Sequence, residues 1–308
     1  LLPPRALRTV ATLLIFTDNL VIGKEKNSKF ALLKYFLRAK IRISCYLEKL
    51  KIIKITRMKV ALIGNTYQAE KSRYLVAIIE ELQKHGAEII VERQFLSFIT
   101  HTLGIRQTGL AGFDECDFSA DLCISIGGDG TFLQAASYVE GKGIPILGIN
   151  TGHLGFLADV LPDEIEEACE RICNGDYIVE HRGVVEVRCN GALLSRHPYA
   201  LNEVAVLKHD NSSLIGIEAK IDGRMLNHYM ADGLIVTTPT GSTGYSLSVG
   251  GPILAPVSGT LCISPVASHS LNTRPVVVTD NVSIELNVES RTNNFLIAID
   301  GRSESLPC

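Results

Sequence analysis

Five consecutive residues carry the strongest chemical signal in this chain: Gly127, Gly128, Asp129, Gly130 and Thr131, which follow an apolar run and precede a helical stretch. Glycines at a strand end let backbone N–H groups come close to phosphate oxygens, and the N-terminus of a following helix favours negative charge. In open α/β sheets, ligands bind outside the carboxyl ends of the strands, which is where such a turn sits. A carboxylate repels phosphate, so Asp129 is misplaced in a plain phosphate cradle. It suits a base that orients and deprotonates an attacking hydroxyl. The alternative is an Asp-Gly turn with no chemistry; a run of five such residues at a strand end makes it the weaker reading.

A second signal spans residues 238–252, where four glycines, five Ser/Thr hydroxyls between Thr240 and Ser248, and Tyr245 follow an apolar run. A loop with many donors and little bulk suits phosphate and ribose groups, although Gly/Ser/Thr loops are also ordinary turns. It matches neither G-x-x-x-x-G-K-[ST] nor G-x-G-x-x-G, and the chain holds no G-x-S-x-G elbow. The eight cysteines form no C-x-x-C pair and read as reduced thiols, which fits a cytoplasmic protein. Cys169 and Cys173 share an apolar helical stripe with Ile165, Ala168 and Ile172, so packing explains them better than metal binding. No His/Cys/carboxylate cluster has ligand spacing for a structural metal.

The elements that must position these residues alternate from Met58 onward. Residues 59–64 form a short, continuous apolar run, as in a strand covered on both faces. Residues 70–85 have helical spacing, 87–92 and 121–126 read as strands, 132–140 as a helix, and 144–150 as a further strand. This order predicts a parallel sheet with helices on both faces. After a helix at 162–174 the texture changes to short Val/Ile/Thr-rich runs separated by glycines and polar turns, the pattern of an all-β domain. The domains are therefore expected at 58–160 and 161–308, and the second is expected to lack its natural C-terminus.

Residues 1–57 hold 13 Lys/Arg against Asp18, Glu25 and Glu48, a net of +10, whereas the other 251 carry 17 basic and 30 acidic groups, a net of −13. The first methionine is Met58, where the strand pattern begins, so the basic leader is expected to stand outside the native fold. It lacks the interleaved aromatics of a nucleic-acid module, and a nucleic-acid role is the remote reading. The apolar stretch 10–23 is interrupted by Asp18 and Asn19 and is shorter than the roughly 20 residues that cross a bilayer. With 46% hydrophobic and 20% charged residues and a mean hydropathy of +0.20, the chain reads as a soluble globular protein.

Read together, several segments resemble the NAD kinase family. They are GGDGT at 127–131, the run from Asn150 to Leu157, Asn202-Glu203, Ala231-Asp232-Gly233, the 238–252 loop, and residues 265–275. GGDGT alone is shared with diacylglycerol-type lipid kinases and phosphofructokinases; the N-T-G-x-L-G-F run and the T-P-T-G-S-T-G-Y loop separate the chain from both. The resemblance covers residues 58 to the end. It implies an α/β domain followed by an all-β domain, and phosphorylation of the adenosine-ribose 2′-hydroxyl of NAD by ATP or polyphosphate. It also implies Mg²⁺ carried with ATP, and a homo-oligomer that binds neither nucleic acid nor membrane. Asp129 would then be the base, Gly128 and Gly130 would shape its turn and with Thr131 bind substrate or nucleotide, and Phe156 would line the adenine side. Asn202 and Glu203 would hydrogen-bond NAD, and Asp232, Thr243, Tyr245 and Ser246 would complete the dinucleotide site. His153 and His269 lie inside the matched motifs, and the family pattern continues past Asp300-Gly301. Two other readings stay open: a lipid kinase sharing GGDGT, and a module that binds NAD without turnover.

Overall fold

The computed structural model describes residues 57–66, 72–105, 108–114, 117–151, 155–194, 197–209 and 214–308, and residues 10–15 as backbone. They divide into two compact units, a first within Thr12–Glu180 and a second within His181–Cys308 together with residues 10 and 11.

The first unit is built on a sheet of strands β1 (Val10–Ile15), β2 (Lys59–Gly64), β3 (Glu88–Glu92), β4 (Leu110–Phe113), β5 (Leu122–Gly127), β6 (Ile146–Asn150) and β7 (Ile178–Gly183). Their order is β4-β3-β2-β5-β6-β1-β7, and β2 to β6 run parallel. Every residue of β5 is buried, because a parallel sheet is covered on both faces. Helix α1 (Ser72–Lys84) presses Leu75, Ile78, Ile79 and Leu82 onto Val60, Leu62, Leu122 and Ile124. Helices α2 (Arg93–Ser97) and α3 (Asp129–Tyr138) follow β3 and β5.

Chain order turns around between β2 and β5: β3 and β4 extend the sheet to one side of β2, and β5 and β6 extend it to the other. The carboxyl ends of β2 and β5 therefore flank a topological switch point, the general ligand crevice of such sheets.

Two expectations shift. The helix expected from residue 132 begins at Asp129, because Gly128 takes the N-cap position and GGDGT supplies the first turn. The helix expected to open the second domain, α4 (Ile165–Asn174), instead buries Ile165, Ala168, Cys169 and Ile172 in the first unit's core beside α1. The chain passes to the second unit only after Glu180. Burial pushes the Cys169 thiol up to about 12, as fits a packing residue. Most of the 1–57 leader lies outside the described residues; Val10–Ile15, however, is a strand that pairs parallel with β6 at Leu13↔Ile146.

The second unit is antiparallel. Among its strands are β8 (Val185–Glu186), β9 (Arg188–Cys189), β10 (Ala192–Leu193), β11 (Tyr199–Ala200), β12 (Glu203–Lys208), β13 (Ile215–Ile221), β14 (Arg224–Ala231) and β15 (Gly233–Thr237). They are followed by β16 (Thr260–Val266), β17 (Val276–Thr279), β18 (Ile284–Glu289), β19 (Asn294–Ile299) and β20 (Arg302–Pro307). A six-stranded sheet, β17-β16-β15-β12-β19-β20, and a three-stranded sheet, β14-β13-β18, bury Val204, Val206, Ile217, Tyr229, Leu234, Val236, Ile263 and Ile297 in one core. The two-residue period is plain in β18, where half-buried Ile284, Leu286 and Val288 alternate with exposed Glu285, Asn287 and Glu289.

Gly148 in β6 ties the fold to the loop that follows. A Cβ there would lie 2.6 Å from the Ala158 Cα and 2.9 Å from the Phe132 ring. The bare position lets residues 158–160 run along β6, with Asn150 N–H donating to the Val160 carbonyl at 2.8 Å and Val160 N–H to the Gly148 carbonyl at 3.1 Å. Gly148→Ala collides with backbone that no rotamer change can clear. It is expected to cost about 1–3 kcal/mol and to lower Tm by roughly 2–4 °C per kcal/mol, read by thermal melting; an unchanged Tm would refute this account of the approach.

Candidate active site

The two first-unit motifs leave neighbouring strand ends. Gly127, the last residue of β5, pairs with Asn150, the last of β6, and the Thr151 N–H donates to the Gly127 carbonyl at 3.1 Å. A Cβ on Gly127 would lie 2.8 Å from that of Thr131, so the turn closes tightly on itself and buries Thr131. Gly128 caps α3 with its carbonyl, which accepts the Thr131 and Phe132 N–H groups at 3.0 and 3.1 Å. Asp129 is the first helical residue, where the helix dipole favours a negative charge. Gly130, next to it, is exposed.

The Asp129 carboxylate is held by three successive backbone donors. Oδ2 accepts the Phe156 N–H at 2.8 Å, and Oδ1 accepts those of Leu157 at 3.0 Å and Ala158 at 3.2 Å. A carboxylate has about four acceptor positions, so three are filled and the one remaining is on Oδ2. Phe156 stands beside it with a 39% exposed side chain. His153 lies outside the described residues.

In the second unit, Asn202 and Glu203 lie at the start of β12 and the 238–252 loop wraps them. The Asn202 carbonyl accepts the Thr238 N–H at 2.9 Å and the Thr237 hydroxyl at 3.0 Å. Gly241 packs so closely that a Cβ on it would lie 2.6 Å from the Asn202 Cα. The Glu203 carboxylate accepts the Tyr245 N–H. Two buried acceptor atoms, Asn202 Oδ1 and Glu203 Oε2, have no partner, which is the condition of groups that await a ligand's hydroxyls or amide.

Sequence reasoning misses Asp300. Its Oδ2 accepts the Leu201 N–H at 2.7 Å, and its Oδ1 those of Asn202 at 2.8 Å and Glu203 at 3.1 Å. Asp300 and Gly301, at φ 48° and 79°, form the two-residue turn of the β19–β20 hairpin. An Asp-Gly pair directly after the apolar run 295–299 is the signal that would have found that turn. Burial raises the Asp300 carboxyl above its ordinary range, against the three amides and Arg302. Burial, and then the Asp300 carboxylate, push Glu203 up to about 7, opposed by the Tyr245 N–H.

The remaining expected residues divide. Tyr245, 38% exposed, opens a single helical turn, α5 (Tyr245–Ser248), and half-buried Thr243 ends the turn before it. Ser246 faces inward: it is fully buried, and its hydroxyl meets that of Ser264 at 3.2 Å. Asp232 lies at the opposite end of β15 from the loop, about 20 Å away at strand rise, and pairs with Lys208 at 2.7 Å. The structure brings together Asn202, Glu203 and the 241–245 segment, but not Asp232. His269 is exposed and donates its N–H to the Met230 carbonyl.

The ATP-NAD kinase N-terminal domain matches residues 60–177, and the ATP-NAD kinase C-terminal domain matches residues 201–307. The NAD kinase of Bacteroides fragilis is 56% identical over 248 residues, which cover 80% of this chain and 86% of that one. Among solved structures, an NAD kinase from Archaeoglobus fulgidus in complex with ATP superposes with a TM-score of 0.59 at 25% identity, covering 82% of this chain and 87% of the other. Yeast NADH kinase complexed with NADH shares the fold, with a TM-score of 0.70 at 22% identity over 82% of this chain and 77% of that one. None of these relatives favours the lipid-kinase or non-catalytic reading. Domain matches across both units, and a relative of this identity along most of its length, identify the chain as a member of the NAD kinase family.

Proposed function

We propose that this chain transfers the terminal phosphoryl group of ATP, or of polyphosphate, to the 2′-hydroxyl of the adenosine ribose of NAD, giving NADP, with Asp129 as general base. The observation that carries the reading is the single acceptor position left on Asp129 Oδ2, at the end of β5 and beside the switch point. In the transfer from ATP, the 2′-hydroxyl proton moves to that oxygen and the ribose oxygen bonds to the terminal phosphorus. The bond from phosphorus to its bridging oxygen breaks, and ADP leaves. The space around Gly128 and Gly130, where an added Cβ would meet nothing within 4 Å, and the α3 N-terminus suit the donor's phosphate oxygens.

Phe156 takes the adenine side of NAD. Asn202 Oδ1 and Glu203 Oε2 accept from NAD hydroxyls or its nicotinamide amide, supported by their lack of any partner in the fold. Thr243 and Tyr245 border that pair, whereas Ser246 acts from beneath through Ser264. Mg²⁺ would come with the donor, held by its phosphates, and would neutralise charge developing in the transfer. The reading extends to a homo-oligomer in the cytoplasm. The oligomer is supported by the outer strand β14, which leaves Met225 and Met230 exposed, and sedimentation at working concentration tests it.

Asp129→Asn is expected to lower kcat for NADP formation from NAD and Mg-ATP by about 10²–10⁴-fold, with NAD affinity within about tenfold. A mutant that turns over normally while binding NAD much more weakly would sink the base assignment. Glu203 supplies a pH test. With its carboxyl pushed up to about 7, it is protonated below that pH, and the unpartnered Oε2 then turns a donor O–H toward a hydroxyl it would otherwise accept from. KM for NAD is therefore expected to rise as pH falls through about 7 and to level off above it, and Glu203→Gln should flatten that limb. A wild-type KM that stays constant over that range would contradict the role of Glu203.

A further inference from the structure

Gly155 directly precedes the three residues whose N–H groups hold Asp129. A Cβ built on it would lie 2.6 Å from the Asp129 carboxyl carbon, 2.8 Å from Oδ2 and closer still to Oδ1. All three of the nearest atoms belong to that one carboxyl group. What Gly155 supplies is room, and the group that fills the room is the Asp129 carboxylate.

The row of donors beyond it is fixed to the sheet. Ala158 is fully buried against β6 at Gly148, and its carbonyl accepts the Asn150 side-chain amide at 3.4 Å. Val160 continues along β6 through its bonds to Gly148 and Asn150. The carboxylate is thus clamped between a helix that leaves β5 and a loop anchored on β6. Two of its acceptor positions on Oδ1 and one on Oδ2 are consumed.

We infer that Gly155 is a positioning residue for phosphoryl transfer: having no side chain, it lets the Asp129 carboxylate close onto the N–H row of residues 156–158, which leaves one Oδ2 lone pair aimed at the substrate hydroxyl. The inference rests on the assignment of Asp129 as base. A methyl group at 155 evicts the carboxylate from the row, strands the three donors, and frees the base to turn away from the reacting oxygen. Displacements on this scale cost turnover far more than ground-state affinity.

The test is a double-mutant cycle in the full chain: wild type, Gly155→Ala, Asp129→Ala and the double mutant, each read by NADP formation and by thermal melting. Gly155→Ala alone is expected to lower kcat about 10–100-fold, with KM for NAD within about threefold, and to lower Tm. In the Asp129→Ala background the same substitution is expected to change neither residual turnover nor Tm, because the group it strikes is gone. Equal losses in both backgrounds would mean that Gly155 serves the loop independently of Asp129 and would overturn the inference. So would a kcat for Gly155→Ala within about twofold of wild type. If Asp129→Ala itself turns over like wild type, the base assignment fails instead, an outcome distinct from an inactive Asp129→Ala whose cycle shows no coupling.

Discussion

A backbone N–H that leaves the regular ladders and finds no acceptor costs on the order of 1–3 kcal/mol when buried. Three in succession, pointing the same way, need one acceptor of high capacity. This chain meets that need twice with a single carboxylate: Asp129 closes the row at residues 156–158, and Asp300 the row at 201–203. Each bond joins a residue on one element to a loop far from it in sequence. The loops that carry Phe156 and the Asn202-Glu203 pair are therefore held to the scaffold by the carboxylates themselves. A site built on loops gains the precision of strands when such rows tie the two together.

The two clamps differ in what they leave available. Asp129 is half-exposed at a helix N-terminus, and its Oδ2 retains an acceptor position. At Asp300 burial outweighs the three amide bonds and Arg302, and its carboxyl is raised. Its charge falls on the neighbouring Glu203, which burial has already pushed upward. Asp300 thus shapes the Asn202-Glu203 turn through hydrogen bonds and tunes Glu203 through space. The same type of contact fixes geometry in one unit and sets an ionisation in the other.

Much of the fold was legible because its signals are local. The apolar runs of β2 and β5, the helical stripe of α1 and the change of texture to short antiparallel strands all follow from periodicity. The domain boundary was not, since nothing in the α4 sequence says which core its apolar face will join; tertiary packing against α1 decides it. Strands β4 and β7 escaped notice beside the first sheet; farther on, Asp222-Gly223 and Asp300-Gly301 mark the hairpins that contain β14 and β20. At the site, GGDGT declared both its place and its carboxylate. The functions of Asp300 and Gly155 depend on which amides lie opposite them, and spacing along the chain carries no such information.

The 238–252 loop shows how composition misleads in the other direction. Its hydroxyls suggest a surface rich in donors for a substrate, yet most of them are used internally. The Thr238 hydroxyl donates to the Leu201 carbonyl at 2.5 Å, Ser242 donates to the Pro239 carbonyl at 2.7 Å and accepts from the Leu254 N–H at 3.0 Å, and Ser246 meets Ser264. Arg182, buried beneath, reaches the Thr240 hydroxyl at 3.4 Å. Small residues here let backbone pass close to Asn202, and small hydroxyls satisfy the backbone groups that such an irregular path leaves unpaired. The loop's contribution is accordingly shape and stiffness around two unpartnered acceptors, Asn202 Oδ1 and Glu203 Oε2. On the proposed function, recognition falls to a few fixed atoms, an arrangement that discriminates strongly because any ligand lacking the matching donors leaves those acceptors buried and unpaired.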